Sequence, residues 1–153
     1  MKLTLVKNNS AKLMAALKEV LKNDVLVGVP QDKARRREGE VTNAELAYIH
    51  NNGSPARNIP ARPFMEPGIK NAAQRINVLM QQTARAVLSG DKAKVRQGLE
   101  SVGLAAQNSI RSKINEGIPP PLKHPRRGKS RSKPLIDTGQ LRNSITYVVR
   151  RKG

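Results

Sequence analysis

Asp137-Thr138-Gly139 is the triplet in this 153-residue chain with the form of a catalytic motif. In aspartic proteases it carries one of two carboxylates that share a proton, so a single triplet per chain would need two chains to complete the pair. The neighbouring residues favour a structural role. The Asp137 carboxylate can accept from the free N–H groups of a short turn running through Gln140 and Leu141, which makes it an expected helix cap. Beyond the turn, Ile145, Tyr147 and Val149 alternate with Ser144, Thr146 and Arg150, the period-two pattern of a half-buried strand. Elsewhere the chemistry is sparse. His50 and His124 are the only histidines, they lie in unrelated contexts, and there is no cysteine. No zinc signature, Gly-rich nucleotide loop or further acid-base pair accompanies them, so no metal, cofactor or enzymatic activity is expected.

The charged residues are more informative. Twenty-nine Lys plus Arg against 11 Asp plus Glu give a net charge of +18, which favours polyanionic partners. Between Gly117 and Gly153 there are ten bases and one acid, Asp137. Lys123, Arg126, Arg127, Lys129, Arg131 and Lys133 fall in a Pro-rich loop at 118–134, and Arg35, Arg36 and Arg37 form a second knot inside the polar stretch Gln31 to Val41. Neither cluster is interleaved with aromatics, so base stacking is not expected. Contact with phosphate backbones or with acidic protein surface is.

A third candidate is apolar. In Ile59-Pro60-Ala61-Arg62-Pro63-Phe64-Met65 the two prolines fix φ and bias Ile59 and Arg62 towards extended conformations. The result is a stiff arm with Phe64 and Met65 placed to dock, and Ile59, Arg62, Phe64 and Met65 are the expected subunit-interface residues.

The elements that hold these candidates can be read from periodicity. Met1 to Lys7 predicts a strand, Ser10 to Lys22 a helix with Leu13, Leu17 and Leu21 on one face, and Val25 to Val29 a buried strand. Thr42 and Glu45 predict a capping box opening a short helix with Leu46, Tyr48 and Ile49, stopped by Gly53 and Pro55. From Pro67 to about Leu88, Ile69, Ala72, Ile76, Leu79, Met80, Thr83 and Val87 recur at helical spacing. After Ser89-Gly90-Asp91 a second helix carries Val95, Leu99, Val102, Ala106, Ile110 and Ile114 on one stripe, with Gly98 and Gly103 permitting close approach and Gly117 as terminator. The expected fold is α+β, one domain over 1–153, with a small mixed sheet of N- and C-terminal strands packed on a long helical hairpin. The core must be mostly aliphatic, since Phe64, Tyr48 and Tyr147 are the aromatics. With hydrophobic residues at 37%, neighbouring subunits are expected to complete part of the apolar surface. Neither a signal peptide nor a membrane span is expected.

In order, Ile49-His50-Asn51-Asn52-Gly53, the Ile59 to Met65 arm, a helical region, a basic loop and Pro134-Leu135-Ile136-Asp137-Thr138-Gly139-Gln140-Leu141-Arg142-Asn143-Ser144-Ile145 resemble the neck or tail-completion (virion morphogenesis) family of tailed bacteriophages. The resemblance runs from about Val25 to Arg150. Many relatives carry Glu-Phe-Gly or Glu-Tyr-Gly where this chain has Asn51-Asn52-Gly53. What the resemblance implies is a structural subunit of a homo-oligomeric ring, commonly sixfold, at the head-tail junction. Its partners would be the head-side connector, tail-side terminator or tube proteins, and the genomic duplex DNA passing through the lumen. Its location would be the host cytoplasm during assembly and then the virion. The alternatives are a cellular protein that binds nucleic acid without sequence preference, which suits the charge and size but gives the arm and the Asp137 turn no role, and an aspartic protease, whose nearly all-strand fold does not suit the helical periodicity.

Overall fold

Val95, Leu99, Val102, Ala106, Ile110 and Ile114 all fall on one side of a single 25-residue helix and are all buried. The rest of the chain is arranged around that stripe. A computed structural model describes residues 9–30, 41–122, 133–136 and 138–152. In chain order the elements are α1 (Ser10–Leu21), β1 (Asn23–Gly28), α2 (Asn43–Asn52), a single 3-10 turn (Pro55–Arg57), α3 (Met65–Leu88), α4 (Lys92–Glu116), α5 (Gln140–Ser144) and β2 (Thr146–Arg151). Each fully buried branched aliphatic on α4 contributes about 1.5–3 kcal/mol relative to exposure, so this helix is the main source of burial.

α3 and α4 form the expected helical hairpin, and β1 and β2 pack on α4, so the fold is α+β. Asp91 caps α4 by accepting from the N–H of Lys94, and Gly117 in the left-handed region ends it. Two close approaches set the packing. A Cβ at Gly98 would strike the Thr83 hydroxyl of α3, and one at Gly103 would strike the Tyr147 ring of β2. Gly98 thus serves helix–helix packing as expected, whereas Gly103 admits the sheet.

The sheet expected as mixed is, among the described residues, two-stranded and antiparallel, with Leu26 opposite Val148 and Val27 opposite Tyr147. The strand expected at Met1 to Lys7 lies outside the described residues. β1 is not the buried strand expected: Val25 and Val27 are half-buried and Leu26 is exposed. With one partner strand and one helix layer among the described residues, the far side of the sheet carries Leu26 exposed.

Leu13, Leu17 and Leu21 share one face of α1 as expected, and on α3 the expected inward face is corrected. α1 docks through Ala16, fully buried against Ala86 and Val95, while Leu13, Leu17 and Leu21 remain exposed. A small residue lets the helix axis approach α3 and α4 closely, and that puts the leucine side outward. On α3 the buried positions are Gly68, Ala72, Thr83 and Ala86; Ile69 and Met80, expected inside, are exposed.

Candidate functional site

The two stretches singled out in the sequence meet in space. Phe64 is fully buried in a cluster with Ile110, Ile114, Ile118 and Ile145, and Met65, Leu135 and Ile136 pack against it. The arm and the C-terminal motif therefore share one core, built on the last turns of α4.

The path of the arm follows from local bonding. Gly53 ends α2 at φ +79°, and a Cβ there would lie 2.8 Å from the Ala61 nitrogen, so the chain can fold back on itself only at glycine. Ser54 and Ile59 then exchange backbone hydrogen bonds of 2.8 and 3.0 Å around the 3-10 turn. Arg62 donates its backbone N–H to the His50 carbonyl at 2.8 Å. The residue is 6% exposed, and its guanidinium forks from Nε and Nη2 onto the Pro120 carbonyl at 3.0 and 2.7 Å. Asn51 Oδ1 accepts from the N–H groups of Phe64 and Met65 at 3.1 and 3.2 Å, capping α3 in the absence of an acceptor from its own preceding residue.

This corrects the interface expectation. Phe64 and Arg62 are committed to the chain's own interior, Met65 is half-buried against the same cluster, and Ile59 is half-buried in the bridge. The anchor points inward because Ile110, Ile114 and Ile145 converge there.

The structural caps divide. Thr42 and Glu45 form the expected capping box: Glu45 N–H donates to Thr42 Oγ1 at 3.2 Å and Thr42 N–H to Glu45 Oε2 at 2.8 Å. The bond from the Thr42 backbone holds the Glu45 carboxyl below the usual glutamate range. Asp137 lies outside the described residues. The N-cap position of α5 is Gly139 at φ +76°, and Thr138 Oγ1 accepts from the Gln140 N–H at 3.4 Å.

Of the basic candidates, Arg35, Arg36, Arg37, Lys123, Arg126, Arg127, Lys129 and Arg131 lie outside the described residues. Lys133 is exposed, but its ammonium is engaged, donating to the Asn115 carbonyl at 2.8 Å near the end of α4. Cations are favoured at that end of a helix dipole.

Sequence reasoning missed the polar side of α4. Arg111 donates to the Ile145 carbonyl from Nε and Nη2 at 3.0 and 2.6 Å, Gln107 Oε1 accepts from Thr146 at 2.9 Å, and Ser109 donates to the Gly68 carbonyl at 2.7 Å. These bonds fix the C-terminal motif and α3 to one helix, and their partners are 32 or more residues away in sequence. The residues on α4 interrupt no motif, so nothing local marks them.

Two apolar surfaces are exposed among the described residues. Leu13, Met14, Leu17 and Leu21 run along one side of α1, and Leu26 and Val148 face each other on the outer side of the sheet, beside a cavity of about 350 Å³ lined also by Val29 and Pro30. Among the described residues no group of three His, Cys, Asp or Glu could hold a metal ion, and no helix is long and apolar enough to cross a membrane. No family model, curated protein or solved structure matches this chain.

Proposed function

We propose that this chain is a structural neck or tail-completion subunit of a tailed bacteriophage, acting without catalysis and assembling with copies of itself into a ring at the head-tail junction. The observation that carries the reading is apolar surface left exposed among the described residues: the leucine side of α1 and the Leu26–Val148 pair. Exposed leucines that share one helix face are a feature of surfaces that meet another protein. Beside it stands the ordered set of motifs from Ile49 to Ile145, which resembles that family and whose two principal stretches form one core here. Sixfold symmetry, a head-side connector above, a tail-side terminator or tube below and duplex DNA in the lumen follow from the resemblance. The copies would be made in the host cytoplasm and end in the virion.

The arm is no longer the proposed contact, because its anchor is internal. The contact between copies is assigned to α1 and the outer sheet face. Leu13→Glu with Leu17→Glu tests this, since both side chains are exposed and the folded chain should tolerate them. Circular dichroism should show an unchanged fold, while electron microscopy should show heads and tails left unjoined. Intact infectious particles containing the double variant would overturn the assigned contact, and particles that lack this chain altogether would overturn the function.

A further inference from the structure

Bases from three elements and one helix end gather along a single seam that no run in the sequence announces. Lys18 is in the last turn of α1, Lys22 follows it, Lys92 and Arg96 begin α4, and Arg151 ends β2. They line two adjoining cavities of about 520 and 200 Å³ that share Glu19, Asn23, Lys92 and Arg151.

The seam keeps a positive excess after its acids are counted. Glu19 lies 3.3 Å from Lys92 and accepts from Asn23 Nδ2 at 3.3 Å, and Glu100 lies 3.6 Å from Arg96. Lys18, Lys22 and Arg151 meet no carboxylate among the described residues. The bases are solvated: Lys92 is 61% and Arg96 70% exposed at the side chain, so the fold does not depend on their charge. The amino end of α4 adds little, because Asp91 already accepts from the Lys94 N–H there.

We propose that this seam is a groove for the phosphodiester backbone of a nucleic acid duplex, held by charge and without base readout. The uncharged lining, Ala15, Asn23, Ala93 and Val149, offers no large apolar pocket of the kind that anchors a protein partner. No aromatic residue lines it, so stacking on single-stranded bases has no platform. The same seam of a second copy is disfavoured as its occupant, because Lys18, Lys22 and Arg151 would meet like charge. Phosphates need only point cations spaced along a groove. The inference does not rest on ring assembly; the groove belongs to one chain and would act in a monomer.

The test uses the whole chain and two short DNA duplexes of unrelated sequence, with binding followed by fluorescence anisotropy across a salt series. One variant combines Lys18→Ser, Lys22→Ser and Arg151→Ser. The control combines Arg57→Ser, Arg75→Ser and Arg85→Ser, removing the same charge from exposed positions that do not line the seam. Both duplexes should bind the unaltered chain with similar affinity. The seam variant should flatten the slope of log K against log salt by up to about 2.7, three phosphate contacts at about 0.9 each, while the control changes it far less. If the strand end does not tolerate Arg151→Ser, the Lys18→Ser, Lys22→Ser pair repeats the measurement with an expected change of up to about 1.8. Equal losses from seam and control variants would make binding a diffuse effect of net charge, and an unchanged slope in the seam variant would put the contact elsewhere. Either result overturns the groove.

Discussion

Phe64 carries the largest side chain that is fully buried, and its truncation should act on stability before it acts on any assembly. Phe64→Ala removes most of a ring from among Ile110, Ile114, Ile118 and Ile145, and such losses cost about 3–5 kcal/mol because the surrounding side chains collapse only partly. For a chain of this length that is a fall of roughly 6–20 °C in melting temperature, readable by circular dichroism. A variant that melts like the parent would remove Phe64 from the core. Asn51 presents a different kind of dependence, since it contributes one oxygen to two N–H groups that α3 leaves open. Asn51→Ala should cost on the order of 1 kcal/mol, whereas Asn51→Asp should stay within a few tenths, because a carboxylate accepts the same bonds at the positive end of the helix. Urea unfolding midpoints compare the two. Equal losses from both substitutions would mean that Asn51 acts by packing and not as an acceptor.

At the scale of elements, the joint between α4 and β2 is set by Gly103 and Tyr147. Gly103→Ala would improve helix propensity by about 1 kcal/mol, but the added Cβ meets the Cβ, Cγ and Cδ2 atoms of Tyr147, the rigid base of a ring and not a flexible tip. Overpacking of this sort costs about 1–3 kcal/mol, so the substitution should lower stability on balance. In a Tyr147→Ala background, which removes Cγ and Cδ2 but keeps the Cβ at 3.0 Å, the cost should shrink, and a double-mutant cycle measures the difference. The elements also show how far the sequence could be read. The α4 stripe, the Thr42–Glu45 box and the helical hairpin were legible because each is written in residues a few positions apart. The direction of a face was not. Leu13, Leu17 and Leu21 have helical spacing, yet spacing does not say that Ala16 makes the closest approach and turns them outward. Pro60 and Pro63 made the arm legible as stiff, but its inward aim depends on isoleucines about 50 and 80 positions later. The basic seam was illegible for the same reason, since its five bases are scattered from Lys18 to Arg151 and only the fold brings them together.

The whole molecule is governed by its charge. At +18 the chain repels itself and its copies, while ion pairs such as Lys70–Glu66 and Arg96–Glu100 are exposed and worth about 0–1 kcal/mol each. These two effects respond oppositely to salt. Between 0.01 and 0.1 M the screening length falls from about 30 Å to about 10 Å, and α3 alone, at 24 residues, is about 36 Å long. Repulsion across the molecule should therefore be removed in that range, while pairs in contact are weakened much less. The melting temperature should rise with added salt; a fall would show that the surface pairs outweigh the net charge. Association of copies through the apolar side of α1 should strengthen over the same range, because screening removes the repulsion and leaves apolar burial intact. Phosphate binding in the seam should weaken steeply, since added salt reduces the gain from released counterions. Sedimentation and anisotropy on one salt series thus separate the two surfaces. If self-association instead weakens as salt rises, copies are held by charge, and the leucine side of α1 is not what joins them.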